Sequence, residues 1–146
     1  MASEAFYVVL TVTEDGTREV LGIFDLPTES ASGWKLMFDS LKERGLERIE
    51  LIVADGLTGL DSVVGESNPG ASLQRCVTHL KRDMLCRVRY GDKKDLAADL
   101  RRVFRTGDEN YTVEKCWQAW KHLCDKWGTA YRSIKRMGWI LVTRLI

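Results

Sequence analysis

A chain of 146 residues with 45% hydrophobic and 29% charged residues has the size and composition of about one soluble globular domain with a real core. Its net charge of +1 hides an uneven layout: residues 1–70 hold 13 acids against 5 bases, residues 71–105 hold 4 against 10, and residues 106–146 hold 4 against 7. No apolar run reaches the ~18 residues of a membrane span and no charged-then-apolar leader opens the chain, so a cytoplasmic location is expected, with the four cysteines, Cys76, Cys86, Cys116 and Cys124, as reduced thiols.

In chain order, Phe6 to Thr13 and Arg18 to Leu26 are β-rich runs flanking Glu14-Asp15-Gly16-Thr17, a hairpin signal because glycine supplies the positive φ of a tight turn. Pro27 stops the second strand. Thr28 or Ser30 can cap a helix whose apolar positions Trp34, Met37, Phe38 and Leu41 recur at i, i+3, i+4 and i+7, and Gly45 ends it. Ile49, Leu51, Ile52 and Val53 form a short apolar run rich in β-branched residues, bounded by Gly45 and Gly56, which predicts a central strand buried on both faces. Asp55 follows its carboxyl end, and Leu57, Leu60, Val63 and Val64 then adopt helical spacing. A carboxylate at such a strand-to-helix turn either caps the helix or belongs to the edge where open α/β sheets gather their ligands.

A loop at Glu66-Ser67-Asn68-Pro69-Gly70 leads to a short strand, Ser72 to Val77, that runs into Cys76-Val77-Thr78-His79. Everything beyond His79 is predicted to be helical. Leu80 to Val88 is basic and amphipathic; Asp92 can cap a helix carrying Leu96, Ala97, Leu100, Val103 and Phe104 on one face, and Thr106-Gly107-Asp108 breaks it. Val113, Cys116, Trp117, Trp120, Leu123, Cys124, Trp127 and Tyr131 make the best periodic stripe, with Gly128 loosening its end. Ser133 to Ile146 is partly apolar and stops without a cap or polar tail, which reads as a cut.

The expected order is strand, strand, helix, strand, helix, strand, then helices. That is an α/β order similar to a ribonuclease-H-like mixed sheet lacking its first strand, with an all-helical C-terminal half. The expectation is one partial domain over residues 1–146, with a sheet part at 1–79 and a helical part at 80–146.

Five segments carry a resemblance: Val20-Leu21-Gly22-Ile23, Thr28-Glu29-Ser30-Ala31 with Trp34, Leu41-Lys42-Glu43-Arg44-Gly45-Leu46, Val53-Ala54-Asp55-Gly56-Leu57 and Gln74-Arg75-Cys76-Val77-Thr78-His79. In this order and spacing, from about Phe6 to about Arg136, they resemble the Mutator-like transposases of bacterial insertion sequences. The resemblance implies a DDE type of enzyme, in which two Asp and a Glu hold two divalent metals, Mg²⁺ or Mn²⁺, on a ribonuclease-H-like core. It implies that Asp55 is the second Asp, catalytic and metal-binding, and that Cys76 and His79 match the family's Cys-x-x-His signature beside the active site. Two metals roughly 3.5–4 Å apart activate the attacking oxygen and stabilise the leaving one, and Gly56 leaves room for a DNA backbone. Nothing before Phe6 supplies the family's first Asp, and its Glu lies downstream of Ile146. This chain alone is therefore expected to bind no metal and to be inactive. Glu109 and Glu114 are the substitutes to weigh, but Glu114 falls near a helix start, where an acid favours the helix dipole.

Each remaining candidate has two readings. Cys76-x-x-His79 is half of a zinc site or a packing pair, and no second Cys/His pair stands at ligand spacing. His122 is rotated well away from Cys116 and is expected exposed, with Cys116 and Cys124 in the core. Trp117, Trp120 and Trp127 either pack in the core or stack on bases. Arg75, Lys81, Arg82, Arg87, Arg89, Arg101 and Arg102, with Lys93, Lys94 and Arg105, form a DNA-binding surface or a solvated helical face.

Two function classes follow: the core of a transposase that cleaves and joins DNA, or a catalytically dead remnant that binds DNA or self-associates. A flavodoxin-like small-molecule domain is disfavoured, since no glycine-rich phosphate loop follows a strand. The expected partners are transposon-end DNA and further copies of the chain, with no membrane and no small-molecule cofactor.

Overall fold

The structure, a computed structural model, describes residues 5–26 and 29–142, with backbone alone for 138–142. It is a mixed α/β chain with small sheets, divided into two units: Met1–Ile52 with Gly56–Leu73, and Val53–Asp55 with Gln74–Ile146.

In the first unit β1 (Ala5–Val12) and β2 (Arg18–Leu26) pair antiparallel, with Val8 opposite Ile23, Leu10 opposite Val20 and a bulge between Val9 and Leu10. The expected turn is there: Gly16 has φ 84°, and the Asp15 carboxylate accepts from the Thr17 N–H at 3.0 Å. Helix α1 (Ala31–Glu43) is capped by Ser30, whose hydroxyl accepts from the Gly33 N–H at 3.2 Å; the alternative cap, Thr28, and the stop at Pro27 lie outside the described residues. Its period is the reason it folds here. Trp34, Met37, Phe38 and Leu41 are all buried, and they share the unit's core with Leu26 and with Leu60, Val63 and Val64 of α2 (Leu60–Ser67). Trp34 is fixed twice, by an edge-on contact with Tyr7 at 4.7 Å and by donating to the Thr58 carbonyl at 2.8 Å. The outer face of the hairpin is different: Phe6, Val8, Leu10, Val12, Val20 and Ile23 all stay exposed.

Strands β3 (Leu51–Ala54) and β4 (Ser72–Arg75) make a separate two-stranded sheet joined through α2. Ser72 N–H donates to Glu50 O at 2.8 Å and Cys76 N–H to Ala54 O at 2.7 Å, the same step along both strands, as in a parallel ladder. The expectation of a central strand buried on both faces is corrected here. Among the described residues β3 has β4 as its only sheet neighbour, and only one of its faces is covered: Ile52 and Ala54 are half-buried while Leu51 and Val53, on the opposite face, remain 55% and 57% exposed. Helix α2 also starts later than its apolar spacing suggests, after Gly59 in the left-handed conformation (φ 76°). Asp55 therefore does not cap it.

The second unit is mainly helical: α3 (Val77–Cys86), α4 (Lys93–Val103), α5 (Val113–Trp127) and α6 (Arg132–Val142), with a 3₁₀ turn at Tyr90–Asp92. Leu80 and Met84 of α3, Leu96, Leu100 and Val103 of α4, Trp120, Leu123 and Trp127 of α5, and Ile134 of α6 form one core with Val88. Two tryptophans of the stripe are thus core, and Trp117 packs against it, as do Cys116 and Cys124, while His122 is exposed. All four cysteines are free thiols, and burial pushes those of Cys116 and Cys124 above their usual pKa. Gly107 (φ 75°) breaks the chain after α4, and Thr112 caps α5. Asp92 precedes α4 without a side-chain cap; its carboxylate instead accepts from the Tyr131 hydroxyl. Among the described residues no helix is long and apolar enough to cross a membrane.

Candidate functional site

The backbone bond from Cys76 N–H to Ala54 O pins the end of β4 beside the end of β3. Asp55 is the next residue on one side. On the other, the chain turns at once into α3, one residue earlier than a strand through Val77 would allow, because Cys76 occupies the N-cap position and Val77 to His79 form the first turn. His79 consequently faces Asp55, with Nε2 and Oδ2 3.9 Å apart and both side chains about half exposed, at 47% and 45%. Gly56 leaves Asp55 with φ 46°, a conformation that a Cβ would strain.

Cys76, His79, Asp55 and Gly56 are thus neighbours at one strand-end corner. The arrangement offers an accessible carboxylate, an imidazole that can donate to it or to an oxyanion after a small movement, and the N–H end of a helix whose dipole favours negative charge. It does not offer a metal cage. Mg²⁺ takes several oxygen ligands in near-octahedral geometry, and among the described residues no group of three His, Cys, Asp or Glu side chains converges. One carboxylate with an imidazole 3.9 Å away does not fit a pair of divalent ions, nor does Cys76-x-x-His79 form a zinc site with further ligands. Glu114 serves its own helix: its carboxyl is held below the usual range by its own backbone N–H and then by the Thr112 hydroxyl.

The basic residues separate into two kinds. Arg75 is committed, with Nη2 3.3 Å from the Asp83 carboxylate and its side chain only 22% exposed, and Lys81 lies 5.5 Å from the centre of the Phe104 ring. Arg82, Arg87, Arg89, Arg101 and Arg102 are exposed. Arg102 also bonds Asp99, at 3.1 Å.

Asp99 is the feature the sequence expectations pass over. It is 6% exposed on α4, where its Oδ2 accepts from Lys126 Nζ at 2.7 Å and from the Trp127 indole N–H at 2.9 Å. The signal was available: Asp99 stands three residues after Leu96 and one before Leu100, within the apolar stripe. Burial opposes its ionisation, but the donors from Lys126 and Trp127 and the charges of Lys126 and Arg102 outweigh it and hold the carboxyl below the usual range.

The family model described as "Transposase, Mutator family" matches residues 1–139. The chain is similar to a transposase for insertion sequence element IS905 of Lactococcus lactis subsp. lactis (strain IL1403), 28% identical over 134 residues that make up 92% of this chain and 33% of that protein. A probable transposase for insertion sequence element ISRM3-like of Sinorhizobium fredii (strain NBRC 101917 / NGR234) is 34% identical, with the same 92% and 33% coverage. The transposase for insertion sequence element IS256 in transposon Tn4001 of Staphylococcus aureus is 31% identical over 112 residues, 77% of this chain and 29% of that protein. The chain spans about a third of the length of the curated relatives it matches.

Proposed function

Because the chain belongs to the Mutator family of transposases, we propose that it is part of the catalytic core of a cytoplasmic enzyme that cuts and joins DNA at transposon ends, working as a homo-oligomer. The fold proposed for the intact core is ribonuclease-H-like. In it Asp55 is one of a set of metal-holding carboxylates, with the others supplied by sequence outside the aligned third of the relatives. Gly56 leaves room for the DNA backbone, His79 positions Asp55, and Cys76 fixes the corner. DNA phosphates meet the exposed arginines Arg82, Arg87, Arg89, Arg101 and Arg102, with Lys81 and Arg75 acting in support.

The observation that carries this reading is the accessible Asp55 carboxylate at the carboxyl end of β3 with His79 3.9 Å away. It is tested in a protein extended to the relatives' full length. Asp55→Asn should abolish Mg²⁺- or Mn²⁺-dependent strand transfer while leaving circular dichroism unchanged, and full activity in that variant would remove Asp55 from the chemistry.

A second reading, a non-catalytic module that binds DNA or associates with itself, is favoured by one observation: among the described residues no group of three His, Cys, Asp or Glu side chains converges at Asp55. On either reading the purified 146-residue chain is inert. Metal-dependent cleavage by that chain, lost in Asp55→Ala, would mean that Asp55 finds its further metal ligands within these residues after all.

A further inference from the structure

Between α4 and α5, and apart from the Asp55 corner in its residues, lies a cavity of about 460 Å³, within the size range of sites that hold a nucleotide-sized group. One wall is fixed by Tyr111, whose hydroxyl shares its single proton between the carbonyls of Arg102 at 2.7 Å and Val103 at 2.8 Å, the last acceptors of α4. Arg102 in the last turn of α4 and Arg105, two residues past its end, line one side, and Lys115, Gln118 and His122 line the α5 side. Its bed is the apolar surface of Ala119 and Leu123.

The charges do not cancel. Asp99 is already satisfied from behind by Lys126 at 2.7 Å and by Trp127 at 2.9 Å, so Arg102 meets it through a single Nη1 while its side chain stays 68% exposed. Arg105 stands 3.6 Å from the Asp108 carboxylate, longer than a hydrogen bond, with its guanidinium carbon 5.3 Å from the centre of the Tyr111 ring. Lys115 donates to the Asn110 carbonyl at 2.7 Å, and an ammonium has two further donors. Three lining cations, Arg102, Arg105 and Lys115, thus meet two lining carboxylates, Asp99 and Asp108, and guanidinium donors on one wall oppose an ammonium on the other. Forked guanidinium donors with an opposed ammonium suit a tetrahedral oxyanion with several acceptor oxygens.

We propose that this groove holds a phosphate group of a nucleic-acid backbone, contacted by Arg102, Arg105 and Lys115 and walled by Tyr111. The choice of nucleic acid as the source of the phosphate rests on the proposed function; the phosphate chemistry rests on the groove alone.

The test uses the 146-residue chain and duplex DNA followed by fluorescence anisotropy over a range of salt. Arg105→Gln combined with Lys115→Gln should weaken binding by about tenfold or more and lower the slope of log affinity against log salt by about 2, close to one released counterion per lost contact. Lys121→Gln with Lys135→Gln, both exposed and neither lining the groove, removes the same charge and should change the slope less. Equal losses in the two double variants, or no loss in the first, would overturn the proposal. Amide shifts of Tyr111, Lys115 and His122 provide a second measurement if a variant folds poorly. They should move with duplex in the unmodified chain, and movement with inorganic phosphate or a mononucleotide but not with duplex would overturn the nucleic-acid assignment. None of these readings depends on DNA cleavage, so a failure of the Asp55 assignment leaves them intact and their failure leaves that assignment intact.

Discussion

Asp99 is tolerated at 6% exposure because its two oxygens accept from Lys126, Trp127 and Arg102. Asp99→Ala leaves the buried Trp127 N–H without its acceptor, and an unsatisfied buried donor costs about 1–3 kcal/mol, so urea unfolding at neutral pH should show a loss of that size. The pH dependence has a definite sign. A carboxyl ionising below its unfolded value of about 3.9 contributes its full stability above that pH and loses it as pH falls through the lower folded value. The gap between the chain and Asp99→Asn should therefore narrow below about pH 4, and a gap that stays constant into strong acid would mean the carboxylate charge carries none of it. At this scale the sequence was uneven. Asp55, Gly56, Cys76 and His79 could be singled out because their spacing is visible along the chain. The 3.9 Å approach of His79 to Asp55 could not, because it depends on a backbone bond between Cys76 and Ala54, 22 residues apart.

Helix α1 shows an element written almost entirely in its own residues. The cap, the apolar period and the last turn all lie within about fifteen positions, and Ser30 and the four buried side chains fall where the spacing places them. Ser30→Ala should cost about 1 kcal/mol through the lost acceptor for Gly33, measured as a shift in unfolding midpoint. In the second unit Leu80→Ala or Leu100→Ala should cost about 2–5 kcal/mol, since both side chains sit in the helical core at 1% exposure or less. Strand β3 is the opposite case. Its apolar run looks the same whether two neighbours flank it or one, so its residues could not disclose that β4 alone pairs with it among the described residues. The start of α2 was also hidden, because a glycine in the left-handed conformation at Gly59 carries no periodic signal. There a Cβ would approach the Ala31 nitrogen to 3.1 Å, so Gly59→Ala should destabilise through both strain and contact.

At the scale of the molecule, the exposed row of Phe6, Val8, Leu10, Val12, Val20 and Ile23 on the hairpin is a feature that composition did not reveal. Apolar strand surface of this kind invites pairing with another chain. Sedimentation should show association that rises with concentration and is reduced by Val8→Lys with Leu10→Lys; a monomer throughout the micromolar range would argue against the homo-oligomer. The division into two units has a different consequence. The first unit carries 12 acids against 5 bases and the second 9 against 17, so the near-neutral total is a sum of two strongly charged parts of opposite sign. A column does not see that sum. At low ionic strength the chain should be retained by anion- and cation-exchange resins alike, each resin gripping a different unit, and its isoelectric point of about 7.7 will be a poor guide to its chromatography.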